Sequence, residues 1–115
     1  MSSTIYDPGK FKSRIEIQEF ISSEADEFGF SQEEWQTTRK ARAYIRNPSM
    51  TKLELYKADG YTVINMKEFI FRYNKKDYAS NKTRVKYKDK TFEVVKVENI
   101  KEENKYFLLL GKLVE

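Results

Sequence analysis

The sequence predicts a mainly β fold, a small antiparallel β-barrel of about six strands with one short helix in a long connection. Three observations predict it. Stretches rich in β-branched and aromatic residues alternate with period two. Turn formers such as Asn47-Pro48, Asp59-Gly60 and Lys88-Asp89-Lys90 separate them at short intervals. Helical signals occur in one segment, just after Pro48. Many short strands in 115 residues hide their edges best in a barrel or sandwich.

Residues 1–12, with Asp7-Pro8-Gly9, read as an N-terminal arm, and 13–115 as the single barrel domain. Residues 13–20 form a half-buried strand, with Ile15 and Ile17 on one face and Arg14, Glu16 and Gln18 on the other. Residues 21–34 are polar and acidic and include Gly29, so they read as a long hairpin loop, mobile in the free subunit. A strand resumes over 35–46, with Ala41, Ala43 and Ile45 inward and Arg42, Tyr44 and Arg46 outward. Trp35, at its start, reads as a core anchor closing one barrel end, with an interface anchor as the sharper alternative.

Ser49 is placed to cap a helix over 50–58, in which Leu53, Tyr56 and Lys57 fall at helical spacing. Gly60 supplies its stop. The connection 47–61 is likewise expected to be mobile in the free subunit. Residues 61–74 read as one long strand and 75–82 as a polar loop. Strands over 83–87 and 91–98 form a hairpin across Lys88-Asp89-Lys90, and 106–114 the last strand after a charged loop.

Two strands break the simple alternation. Tyr106-Phe107-Leu108-Leu109-Leu110 is apolar on both faces. Phe92 and Val94 share a face while Val95 and Val97 take the other, which a β-bulge would reconcile. Phe69, Phe71 and Tyr73 oppose Met66 and Ile70 in the same way. The second apolar face then needs a cover, either the helix or a neighbouring subunit.

The composition narrows the chemistry. There are 22 basic and 18 acidic residues, a net +4, with the signs interspersed along the chain, which reads as a solvated surface. No apolar run reaches the roughly 18 residues of a membrane span, and no signal peptide is evident, so folding in a cytosol is expected. Without cysteine there is no thiolate zinc site, and without histidine the commonest general base is missing. The glycines are isolated, so no phosphate loop is formed. The carboxylates Glu24, Asp26, Glu27, Glu33 and Glu34 lack the ligand spacing of a calcium loop and read as a solvated acidic segment. No catalytic residue, cofactor or metal is therefore expected. Phe69, Phe71, Arg72, Tyr73 and Arg84 could form a base-stacking platform for single strands, although strand aromatics at this spacing more often fill a core.

A set of short motifs carries more information in its order than in any member. Arg14-Ile15-Glu16-Ile17-Gln18 is followed by Asp26-Glu27-Phe28-Gly29, with Trp35 six residues beyond the glycine. Ala41-Arg42-Ala43-Tyr44-Ile45 and Phe71-Arg72-Tyr73 come next, then Arg84-Val85-Lys86-Tyr87 running through a tight turn into Phe92-Glu93-Val94. In that order, over roughly residues 8 to 110, the chain resembles the head closure, or head-tail adaptor, proteins of long-tailed bacteriophages. It departs from their pattern at Asp89, where glycine is usual, and at Asn47-Pro48, where small residues are usual.

The resemblance implies a structural virion protein without catalytic residues. It would form a ring, twelvefold or sixfold, beneath the portal and its adaptor, close the DNA-filled head and offer the docking surface for a tail completion or tail tube protein. Double-stranded DNA would pass through it without tight binding, and no membrane is involved. The candidate lumen or closure segment is Asn47, Pro48, Met50, Lys52, Leu53, Tyr56, Lys57 and Tyr61. The candidate contacts with neighbouring subunits, adaptor or tail are Asp26, Phe28, Phe30, Glu33, Trp35, Tyr44, Arg72, Tyr106 and Leu108. The rival readings are a tail-completion protein and a single-strand-binding barrel.

Overall fold

The computed structural model describes residues 8–25, 31–61, 64–75, 78–80 and 82–114. A 3-10 turn at Pro8–Lys10 leads into β1 (Ser13–Ala25) and β2 (Ser31–Arg46), followed by α1 (Met50–Ala58). Then come β3 (Met66–Arg72), β4 (Thr83–Tyr87), β5 (Lys90–Asn99), a second 3-10 turn at Ile100–Glu102, and β6 (Tyr106–Leu113). The strands close into a barrel in the order β1-β2-β3-β6-β5-β4, with β4 returning to β1.

The barrel interior is filled from every strand: Ile15 and Ile17 of β1, Ala43 of β2, Phe69 and Phe71 of β3, Val85 of β4, Phe92 and Val94 of β5, and Phe107 and Leu109 of β6. Phe69 meets Phe92 edge-on, with ring centroids 5.0 Å apart. Tyr78, from the polar connection before β4, is buried against Phe71 and Phe107 and closes the end where β3 leaves the barrel.

A second apolar layer lies outside β3 and β6. Met66 and Ile70 of β3 and Leu108 and Leu110 of β6 are covered there by Tyr56 of α1 and Ile100, with Phe11, Tyr44, Tyr61, Val95 and Tyr106 at the margins. That is why β6 is apolar on both faces. The cover comes from within the chain, from the helix together with the N-terminal lead and the β5–β6 connection. The bulge expected in β5 is present: Val94 faces Gly111 and Lys96 faces Leu110, so Val95 is the extra residue. It returns Val97 to the interior side, opposite Leu109.

The helix forms where its caps place it. The Ser49 hydroxyl accepts from the Lys52 amide at 3.2 Å. At the other end the Gly60 and Tyr61 amides donate to the carbonyls of Lys57 and Tyr56, and Gly60 adopts φ +92°. This pair of bonds is a Schellman stop, and the ring contact between Tyr61 and Tyr56 at 6.3 Å completes it.

Three boundaries differ from the sequence reading. Residues 21–34 are not a long loop, because β1 continues to Ala25 and β2 starts at Ser31, with Ile21 opposite Glu34 and Ser22 opposite Glu33. This part of the hairpin shows no apolar alternation because β4 stops alongside Glu19, and among the described residues no third strand pairs with it beyond that point. β3 begins only at Met66, since Asn65 turns the chain with φ 55°. Trp35 does not close the barrel, which is the role of Tyr78.

At the β4–β5 turn the left-handed residue is Lys88, with φ 57°, and not Asp89. A left-handed L-residue costs about 1–2 kcal/mol. Against this, the contact of the Lys88 ammonium with the Tyr87 ring, 5.3 Å to its centroid, is worth at most about 0.5–1 kcal/mol when exposed. Lys88→Gly is therefore expected to raise stability by roughly 0.5–1 kcal/mol. A denaturation midpoint that stays unchanged or falls would contradict the strain assignment.

Candidate functional site

The long β1–β2 hairpin gives the molecule its shape. Its extents are 59 × 29 × 26 Å. β3 pairs with β2 only at Tyr44, Ile45 and Arg46, and β4 pairs with β1 only from Glu16 to Glu19. Residues 21–25 and 31–34 therefore project from the barrel as a two-stranded arm. At the arm's root a bulge in β2 sets Ile17 opposite Arg39 but Gln18 opposite Thr37, with Thr38 as the extra residue. Beyond it Trp35 lies opposite Phe20, on the outer face of β1. The Trp35 ring meets Phe20 at 5.5 Å and lies under the Arg84 guanidinium at 4.0 Å. It belongs to neither apolar cluster, and its buried indole N–H has no hydrogen-bond partner among the described residues.

The connection 47–61 is held down by a buried carboxylate. Glu68 is fully buried on the outer face of β3, between Met66 and Ile70. It accepts hydrogen bonds from Arg46 Nε at 2.7 Å, from the Tyr56 hydroxyl at 2.8 Å and from Lys52 Nζ at 3.0 Å. Burial by itself would raise the carboxyl pKa, but these bonds outweigh it and hold the group below the usual carboxylate range. Burial and the hydrogen bond to Glu68 push the Tyr56 phenol well above its ordinary value. One acid thus clamps α1 to β2 and β3.

Five of the cations cluster in space. The outer face of β4, β1 and β2 carries a shallow groove of about 590 Å³ lined by Arg14, Lys40, Arg42, Lys86 and Lys88, with Glu16 as its one carboxylate. Register explains the clustering: Arg14 lies opposite Arg42, and Glu16 lies between Lys40 and Lys86. The Glu16 carboxylate accepts from the Thr37 hydroxyl at 3.3 Å.

The structure brings together some of the residues singled out by sequence and separates others. Lys52 and Tyr56 meet at Glu68, and Tyr61 packs against the Tyr56 ring. Asn47 accepts from Lys67 Nζ at 3.0 Å. Met50 and Lys57 are exposed, and Pro48 and Leu53 are half-buried. Asp26, Phe28 and Phe30 lie outside the described residues, and Glu33 sits in the arm opposite Ser22. Tyr44 is half-buried beneath Lys10 and Arg46, Arg72 is exposed at the end of β3, and Tyr106 rests against Phe11 at 5.7 Å.

Two of these expectations are corrected by burial. Leu108 is 1% exposed beneath the chain's own second layer and has no surface to offer a neighbour. Tyr56 is likewise buried and its hydroxyl engaged, so it cannot line a lumen. The stacking platform also falls, because Phe69 and Phe71 fill the barrel interior and Tyr73 rests on Phe107 at 4.9 Å. Sequence reasoning missed Glu68, Arg39 over the Phe71 ring, and the basic groove. Glu68 did carry a signal, an acid at an alternate position between Met66 and Ile70 in an otherwise apolar strand.

Among the described residues no group of acidic side chains is arranged to hold a metal, and no helix is long and apolar enough to cross a membrane. Residues 6–113 match the model of a family described as Phage head completion protein. The chain belongs to that family. Head completion proteins are structural components of the virion, and the closed six-stranded barrel with its helix is how this one is built. Two solved structures are similar in fold. Protein SF1141 from Shigella flexneri 2a, known from a solution structure, has a TM-score of 0.68 at 17% identity, with 95% of this chain and 97% of that one covered. A chain from the virion of a native gene transfer agent particle has a TM-score of 0.55 at 13% identity, over 88% of this chain and 93% of that one. A search of curated proteins gave no match.

Proposed function

We propose that this head completion protein is a ring subunit at the head-tail interface, set beneath the portal and its adaptor. There it closes the DNA-filled head and presents the surface on which the tail docks. Family membership supplies the setting, and the observation that carries the ring is the projecting arm. A two-stranded ribbon is marginal on its own in water, and this one extends residues 21–25 and 31–34 beyond the last strand paired with it. A chain that builds such an element gains from it when a neighbour receives it. A head-to-tail ring needs two different patches on each subunit, and the arm and the barrel wall differ in this way. The arm is the better candidate for subunit contact, and exposed Met50 and Lys57 of α1 remain candidates for the lumen or an axial partner, joined by Leu55, which the structure also exposes.

The test is genetic and structural. Particles made without this protein are expected to package DNA, lose it, and accumulate beside free tails. Electron microscopy of complete particles should show the protein as a ring between portal and tail. Heads that keep their DNA and attach tails normally would overturn the reading. Stable filled heads beside unfinished tails would favour the tail-completion alternative.

A further inference from the structure

We propose that the basic groove on β4, β1 and β2 is the receiving surface for the acidic arm of a second copy of this chain. The inference rests on the ring reading above and names the contact that would build it. The groove gathers Arg14, Lys40, Arg42, Lys86 and Lys88 around one carboxylate, Glu16, already engaged by Thr37. Like charges directly opposite each other across strands, as Arg14 and Arg42 are, repel. A groove of this kind gains from an anionic occupant.

The chain carries such an occupant. The arm's strands bear Glu24, Glu33 and Glu34, and no lysine or arginine occurs between Ile21 and Glu34. The two charges cannot meet within one molecule. They lie at opposite ends of the same extended hairpin, and the eight residues from Glu16 to Glu24 span about 26 Å at about 3.3 Å per residue. Between copies the contact is heterologous, arm of one to wall of the next, and contacts of that type close into rings or extend as filaments. The Trp35–Phe20–Arg84 stack at the root stiffens the arm where it leaves the wall.

The test places a photo-crosslinking amino acid at Lys86 of the full-length protein, irradiated in assembled particles and in concentrated purified protein. The expected product joins position 86 of one copy to the arm's strands, residues 21–25 or 31–34, of another. In the purified protein its yield should fall steeply toward 1 M salt, where the screening length shrinks to about 3 Å. Lys40→Glu with Arg42→Glu should lower the yield roughly tenfold, and adding Glu33→Lys and Glu34→Lys to that chain should restore it, as complementary charge reversal does. Circular dichroism checks that each variant folds. A ring in particles whose position-86 crosslinks map elsewhere would overturn this contact and leave the ring intact, whereas particles without a ring would remove the reading beneath it. If the reversed variant associated normally but lost binding to duplex DNA, the groove would be a phosphate contact and the inference would fall.

Discussion

Glu68→Ala is expected to destabilise the protein by about 2–3 kcal/mol. Removing one partner of a buried ion pair costs about 3–5 kcal/mol, but the Arg46 and Lys52 side chains are 31% and 37% exposed and recover part of their hydration. The Tyr56 hydroxyl is buried and loses its acceptor outright. The loss should be local first: amide exchange across Met50–Ala58 should accelerate before that of the barrel strands. The effect also has a sign in pH. The folded-state pKa of Glu68 is depressed, so its stabilisation is complete above the unfolded value of about 4.3 and is lost as pH falls through the folded value. The stability gap between the wild type and Glu68→Gln should therefore shrink as pH is lowered from 7 to below 4. A gap that stays constant, or a Glu68→Ala variant within about 0.5 kcal/mol of wild type, outside the usual range for a buried pair, would refute the clamp.

Gly111→Ala is expected to cost about 2–3 kcal/mol, near the upper end for overpacking a core. The glycine sits in β6 opposite Val94 and Lys67. A methyl group there would stand 2.9 Å from Phe69 Cε2 and 2.9 Å from Phe92 Cβ. The Phe69 ring has some freedom to tilt, but Phe92 Cβ is fixed by its own strand. The two rings already touch edge-on, so moving one disturbs the other. Phe69→Leu in the same chain should recover part of the loss by clearing space on one side. Unfolding midpoints of the single and double variants decide it, and a Gly111→Ala protein as stable as wild type would show that the interior is looser than the distances indicate.

Local chemistry alone determined much of this molecule. The Ser49 cap, the Gly60 stop and α1 between them were legible because caps act over three or four residues. So were the inward faces of Ile15 and Ile17 and of Phe69 and Phe71, where alternation reports a buried side. The clash of faces in β5 pointed to its bulge, and the order of the motifs pointed to the family. The arm was not legible, because a ribbon with no core behind it needs no apolar alternation and its polar residues look like loop.

Only the tertiary structure decided the rest. Leu108 stood as a candidate contact for a neighbour until the chain's own second layer covered it. Trp35 had the composition of a core anchor, but the bulge at Thr38 turned it to the outer face. Glu68 found its three donors from β2 and α1, 12 to 22 residues away along the chain. Five cations from three strands gather on one wall because strand register, a long-range property, sets Arg14 against Arg42 and Lys40 and Lys86 about Glu16. Periodicity tells which way a residue faces relative to its own strand. What stands opposite it is set by pairings between strands distant in sequence, and those pairings place the charge on this protein's surface.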